Sequence, residues 1–249
     1  MSKYFTVEKL LTIAASKQNA AVFAAASVMV DWTAIQIPRG ASKLVSATIL
    51  IRAKGDAAPS GNTFAHDIVF SKTNTVSLGT VGATIAHRPS NDFLGVINVD
   101  VNNFGSSQFD STTIATIGGD SSNACPPLVL QGDITTGDNV GYDTVYVGMI
   151  SKDSGMDFRS INTVAETSFN AGTQTVITMD DGSGGTTMDC REHFAAGDVL
   201  HAQDDAVLGN VASTAAQAIT LTAANTEAIA DNDVIYNVNP IKIILGFEK

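Results

Sequence analysis

The sequence predicts a mainly β protein, with a jelly-roll-like β-sandwich in its N-terminal part and a small β-barrel in its C-terminal part. The 249 residues include 26 Thr, 21 Gly and 20 Asp, which are poor helix-interior residues, but only 5 Glu and 14 Lys or Arg, which are good ones. Short apolar runs recur at intervals of about ten residues, and Gly, Asn or Asp clusters typical of turns end them.

Residues 1–18 are predicted to form an N-terminal arm or a short helix. Thr6 occupies a possible N-cap position before the apolar residues Leu10 and Leu11. The Glu that would complete a capping box is absent, because Lys9 stands in its place. An arm that docks on a neighbouring subunit and a frayed terminus are both compatible with this pattern.

Residues 19–155 are predicted to form the β-sandwich domain. Its clearest strand is 43–51, where apolar residues alternate with Ser46 and Thr48, as expected of a strand with one buried face. A turn at 38–40 precedes this strand, and a loop with Pro and Gly at 55–62 follows it. The other predicted strands lie within 20–37, 67–70, 95–101, 114–117, 124–130 and 144–150.

Residues 156–249 are predicted to form the small β-barrel domain with a C-terminal strand. The polar segment 152–159 concentrates charge and marks the boundary. Four short apolar runs within 194–236 have the spacing of a small closed β-structure. The alternating strand 241–247 could return to the sheet of the first domain or pair with a neighbouring subunit.

The net charge of −11 argues against contact with nucleic acid. No Lys or Arg lies between Arg88 and Lys152, whereas seven Asp do, so a basic patch for phosphate is not expected there. We interpret the acidic surplus as an aid to solubility, with a cation site as the alternative. The apolar run 20–30 is shorter than the ~20 residues that span a bilayer, so no membrane association is expected.

A weak zinc pattern is formed by Cys190, His193 and His201. Structural zinc sites usually have four ligands at tight paired spacing, and this set has three at loose spacing. We therefore predict no metal ligand here and expect a polar rim of the barrel. Cys125 and Cys190 are too far apart in sequence to define a disulfide framework and are expected to be free thiols.

The segment 180–189 superficially resembles a calcium loop, but it lacks the alternating ligands and the final Glu of an EF-hand. The Asp residues at 204–205 and 231–233 are interpreted as turn residues. No nucleophile elbow, zinc-protease motif, phosphate loop or dinucleotide fingerprint is present, and no nucleophile accompanies His66 and Asp67. No catalytic, cofactor-binding or metal-binding residue is predicted, and the protein is not expected to be an enzyme.

Two sets of motifs resemble structural proteins of tailed-phage virions. The turn-and-strand pattern of 197–236 is similar to small β-barrel modules of such virions. The segments 32–38, 44–51 and 67–70 resemble β-sandwich proteins encoded near phage capsid genes. The resemblance covers roughly half of the chain and consists of strands and turns rather than catalytic signatures.

The resemblance implies a capsid decoration (cement) protein on the capsid exterior. Its expected partners are the lattice of the major capsid protein and further copies of itself, in a symmetric oligomer and most simply a trimer. It would stabilise the capsid by bridging neighbouring capsomers. A tail or fibre component, or a carbohydrate-binding module, is the alternative, and a β-sandwich hydrolase is a third possibility.

Overall fold

The computed structural model describes residues 3–20, 23–52, 63–85, 91–105, 112–118, 128–134, 141–155, 158, 163–180 and 189–249. Within these residues the protein is mainly β, as predicted, with antiparallel strands and two short helices. The strands are β1 (Tyr4–Leu11), β2 (Val28–Pro38), β3 (Ser42–Ile51), β4 (His66–Ser71), β5 (Phe93–Val99), β6 (Thr113–Ile117), β7 (Leu128–Leu130), β8 (Asp133–Ile134), β9 (Tyr142–Ser151), β10 (Thr163–Ala165), β11 (Val176–Asp180), β12 (Val199–His201), β13 (Val207–Ala215), β14 (Ala218–Leu221), β15 (Val234–Asn237) and β16 (Ile241–Glu248). The helices are α1 (Ala15–Ala20) and α2 (Cys190–His193), and a 3-10 turn spans Val101–Asn103.

The first sheet joins the two ends of the chain. Its strand order is β1-β16-β3-β6, and β7 also pairs with β3. The C-terminal strand β16 is central, because it pairs with β1 on one side and β3 on the other over nearly its whole length. Alternate residues of β16 from Ile241 to Phe247 are fully buried, which explains its strict apolar alternation.

The second sheet has the order β2-β9-β4-β5, and β8 also pairs with β9. Its buried side chains and those of the first sheet form one apolar cluster, so the two sheets share a core. We call these two sheets the first unit. Fully buried members from both sheets include Ile37, Ile49, Phe70, Val147 and Leu245.

The remaining six short strands form a second unit at residues 163–237. Each strand pairs with two neighbours in the order β10-β11-β14-β13-β12-β15, and β15 pairs with β10, so that the hydrogen-bonded order returns to its start. A separate apolar cluster fills this unit. Tight turns connect its strands, and some of them need a residue with a positive φ, such as Gly197 (φ 92°) and Asn232 (φ 64°).

Two predictions about the chain ends need correction. In the described part of the segment 1–18, β1 is a full strand of the first sheet and not an arm. A short helix does occur there, but α1 begins only at Ala15 and not after the possible N-cap Thr6. The C-terminal strand predicted within domain 156–249 belongs to the first unit, where it pairs with β3. Of the two alternatives left open for it, return to the sheet of the first domain is the observed one. The second unit is therefore inserted between β9 and β16. Apolar alternation located these strands but could not reveal that residues about 240 positions apart pair.

Candidate functional site

The residues of the weak zinc pattern have separate roles in the second unit. Cys190 lies in its apolar core, where burial raises the pKa of the thiol to about 12. The backbone carbonyl of the buried His193 accepts a hydrogen bond from Arg52. His201 Nδ1 lies 3.0 Å from the backbone oxygen of Asp205. No group of three or more His, Cys, Asp or Glu side chains able to hold a metal occurs among the described residues.

The acidic residues interpreted as turn residues make turn contacts. Asp204 accepts a hydrogen bond from the amide of Ala206, and Asp233 accepts one from the amide of Ala230. Such contacts to nearby amides are the usual function of Asp in turns. The glycine-rich part of the suspected calcium loop, 181–188, and Cys125 lie outside the described residues.

A cleft of about 350 Å³ opens at one end of the second unit. Leu208 and Ile229 form part of its apolar lining, and the turn residues Asp204 and Asp233 stand at its side. One oxygen of each carboxylate already accepts a backbone hydrogen bond. The two carboxylates beside the cleft therefore already have structural partners.

His66 and Asp67 do not form a catalytic pair. His66 Nδ1 donates to the backbone oxygen of Phe64 (2.8 Å), while Asp67 accepts a hydrogen bond from Asn98. The His66 ring is fully buried beside Phe104, and its Nε2 has no hydrogen-bond partner among the described atoms. Burial is the main cause that lowers the pKa of His66 to about 4, and the Phe64 carbonyl opposes it.

This buried histidine predicts a loss of stability in mild acid. The folded pKa lies below the ordinary value of 6.5, so between pH 6.5 and about 4 the unfolded chain binds a proton that the folded chain does not. Above pH 6.5 the difference in the free energy of unfolding between the wild type and a His66→Gln variant should be constant. As the pH falls to about 4, the free energy of unfolding of the wild type should decrease by roughly 3 kcal/mol more than that of the variant. Urea unfolding of both proteins at several pH values measures this difference. An identical pH dependence in the two proteins would contradict the assignment.

A buried polar junction connects the two units. Arg52, directly after β3, donates from Nη1 to the carbonyl of His193 (2.7 Å) and pairs through Nη2 with Asp198 Oδ2 (2.9 Å). Asn237 donates from its side-chain amide to both of these acceptors, and the amide of Ala195 also donates to Asp198. The Asp198 side chain is only 8% exposed and the Arg52 side chain 21%. Burial lowers the pKa of Arg52, and the attraction of Asp198 opposes that shift.

Gln18 of α1 adds a second buried link at this junction. Its side-chain amide donates to the carbonyls of Ile13 (2.7 Å) and Asn237 (2.9 Å), and the residue is fully buried. Because Asn237 also belongs to the Arg52 network, the segment after β1, the end of β3 and the end of β15 meet at one place.

Further contacts extend from α1 to the second unit. Ser16 donates from its amide and its hydroxyl to the carboxylate of Asp205, at 2.9 and 2.6 Å. The hydroxyl of Tyr236 donates to the side chain of Asn19 at 2.8 Å, and the Tyr236 side chain packs against Ala15. Hydrogen bonds, an ion pair and apolar packing together hold the two units in a defined relative position.

Most large exposed apolar side chains among the described residues lie on the first unit. Two of them, Tyr4 and Leu10, occupy the outer face of the edge strand β1. Phe93 of β5 stands beside Trp32, with ring centroids 5.8 Å apart. Single exposed apolar side chains are normal on a protein surface, so the feature of note is that two of them lie along an unpaired strand edge. The others are Val96, Val101, Val129, Tyr142, Val176 and Val207.

Sequence reasoning missed the junction. Neither Arg52 nor Asp198 belongs to a site motif that the sequence analysis identifies. A usable signal exists in the place of Arg52 directly after an apolar strand, since an Arg that is buried there needs an acidic partner. The identity of that partner depends on the fold.

No protein-family model matches the chain, and no curated protein matches its sequence. None of the described helices has the length and apolar character needed to cross a membrane.

Proposed function

We propose that this protein is a structural component of a tailed-phage virion that decorates the capsid exterior. In this role it binds the lattice of the major capsid protein as a symmetric oligomer, which the resemblance implies is a trimer, and stabilises the shell by bridging neighbouring capsomers. The first unit is then a jelly-roll β-sandwich and the second a small inserted β-barrel.

The strand order of the first unit is the observation that carries the proposal. Apart from the short strands β7 and β8, the described part of the first unit has eight strands. In chain order they are β1 to β6, β9 and β16. Numbered one to eight, they lie in the orders 1-8-3-6 and 2-7-4-5 in the two sheets. This order supports a jelly roll, an architecture used by viral capsid and lectin domains. The step from fold to function is an analogy, and the resemblance of sequence segments to virion proteins points the same way.

The buried junction supports the same role. A decoration protein bridges subunits only if its parts keep their relative position, and the Arg52–Asp198 ion pair with Asn237 links the two units of this chain. Charged residues make up only 16% of the sequence, so that many surface positions can pack against identical copies without burying charge. Many weak contacts on one shell then add up through valency.

Capsid binding is tested with shells assembled from the major capsid protein of the same virus. The purified chain is mixed with these shells and with shells of an unrelated phage as the control, and bound protein is measured after sedimentation. We expect saturable binding to the cognate shells at a fixed ratio to capsid subunits, and shells that withstand higher temperature. Absence of binding to the cognate shells, together with a chain that stays monomeric at high concentration, would refute the proposal.

A carbohydrate-binding module of a tail or fibre is the second candidate, favoured by one observation. Trp32 and Phe93 form a tilted ring pair on the surface of the first unit, and Phe93 is 47% exposed. Exposed aromatic rings are common platforms for sugars, and jelly rolls also occur in lectins. A glycan array with and without a chelator tests this candidate, and a screen for glycoside hydrolysis on the same array tests the hydrolase. Binding to a defined glycan that Phe93→Ser abolishes would favour the module over the decoration protein.

A further inference from the structure

Within the part of the chain that the structure describes, the outer edge of β1 is regular and unpaired. The backbone groups of Lys3 exchange two hydrogen bonds with Lys249 beside β16, and the pairing continues without a register shift to Leu11. Because the direction of the backbone groups alternates, odd-numbered residues of β1 bond to β16 and even-numbered residues point away from it. No described residue pairs with β1 on that side. The outward backbone groups belong to Tyr4, Thr6, Glu8 and Leu10.

Open edges of this kind bind other strands unless something blocks them. β1 contains neither a proline nor a bulge. Two large apolar side chains stand exposed along it, Tyr4 at 72% and Leu10 at 44%. Since a second β1 offers the same unpaired groups, a two-fold contact between copies would satisfy both edges at once.

Charge and the length of the pairing together select one register for such a contact. Registers centred on Phe5 or on Leu10 oppose no like charges, but they pair fewer of the outward residues of β1. Only even-numbered residues can exchange hydrogen bonds across the new edge, which limits the possible registers. With Thr6 opposite Thr6 of the second copy, Lys3 would face Lys9. With Glu8 opposite Glu8, two carboxylates would meet. With Val7 opposite Val7, no like charges face each other directly, and like charges directly opposite are destabilising.

We propose that two copies of this chain join through antiparallel pairing of their β1 strands, with Val7 opposite Val7 at the two-fold axis. Tyr4 of each copy then lies opposite Leu10 of the other. The contact therefore contains two Tyr4–Leu10 pairs, in which side chains that are exposed in the single chain cover each other. Thr6 lies opposite Glu8, and the four outward residues of each copy exchange about eight backbone hydrogen bonds. The two first sheets become one continuous sheet. This contact goes beyond the proposed function, because it does not depend on what the protein does. A two-fold contact joins copies in pairs, so in a trimeric protein it would join two trimers into a hexamer, and its loss would still halve the mass.

Proline at position 6 tests the contact with little risk to the fold. The Thr6 amide points away from β16, so Thr6→Pro removes a hydrogen bond of the proposed contact and none within the sheet. Thr6→Val keeps the amide and is the matched control. Sedimentation of the full-length proteins over a concentration series should show that Thr6→Pro halves the mass of the wild-type species and Thr6→Val leaves it unchanged. A wild-type mass that Thr6→Pro does not change would overturn the inference.

Cross-linking tests the register in chains that keep the native edge. Opposed residues of a non-hydrogen-bonded pair have Cα atoms about 4.5 Å apart, within the range of a disulfide. Val7→Cys should therefore form a covalent dimer on mild oxidation. Leu10→Cys is the control, because its two copies would lie roughly 20 Å apart. Absence of the Val7→Cys dimer, or equal cross-linking of both variants, would overturn the proposed register. Capsid binding is measured separately, so the failure of one proposal is distinguishable from the failure of the other.

Discussion

A chain that ends at Pro240 will fail to fold its first unit. The deletion removes β16, which lies between β1 and β3 in the first sheet and carries Ile241, Ile243, Leu245 and Phe247, all fully buried. Burial of one such side chain is worth roughly 1.5–3 kcal/mol. Four of them amount to roughly 6–12 kcal/mol, comparable with the whole stability of about 5–15 kcal/mol that is usual for a domain.

Trp32 is the only tryptophan and lies in the first unit, so its fluorescence reports on that unit alone. We expect the truncated chain to show the emission of an exposed Trp and no cooperative change in urea. A chain that lacks only Lys249, which follows β16, is the control and should unfold cooperatively. A cooperative Trp32 transition in the chain that ends at Pro240 would mean that β16 is dispensable.

Arg52→Met will destabilise the protein by about 3–5 kcal/mol, the usual effect of removing one partner of a buried ion pair. The substitution leaves the carboxylate of Asp198, only 8% exposed, without its cation and with only the Asn237 and Ala195 donors. Urea denaturation at neutral pH measures the change in the free energy of unfolding.

The ion pair between Lys43 and Glu248 is the matched control. Its atoms lie 3.6 Å apart, and the Lys43 side chain is 49% exposed, so Lys43→Met should cost about 0–1 kcal/mol. The double variant Arg52→Met/Asp198→Asn removes the buried charge and should recover part of the lost stability. Equal effects of Arg52→Met and Lys43→Met would show that the junction contributes no more than a surface contact.

Local pattern was sufficient to predict the fold class and many of its strands. Alternation predicted 43–51, and the structure has Ser42–Ile51; it predicted 144–150, and the structure has Tyr142–Ser151. These predictions succeeded because a strand with one buried face carries its apolar side chains at every second residue, and this alternation is visible in the sequence. Turn chemistry predicted the contacts of Asp204 and Asp233 for the same reason, since both bind amides nearby in sequence.

Non-local pairing could not be predicted from such patterns. The capping pattern around Thr6 and Lys9 indicates an arm or a short helix for residues 1–18, and only the partner β16 explains why Tyr4–Leu11 is a strand. Alternation predicts the C-terminal strand but leaves open whether it pairs with the first domain or with a neighbouring subunit. The ion pair between Arg52 and Asp198 joins residues 146 positions apart, and nothing in the neighbourhood of either residue indicates the other.

The proposed role implies that this chain acts through shape and association on a phage capsid, and electron cryomicroscopy of virus particles purified from the same source tests this central claim most directly. We predict density on the outer capsid surface into which the two-sheet first unit and the inserted six-strand unit fit together without a change at the Arg52 junction. A particle whose capsid surface lacks this density, or a chain absent from purified particles, would contradict the claim.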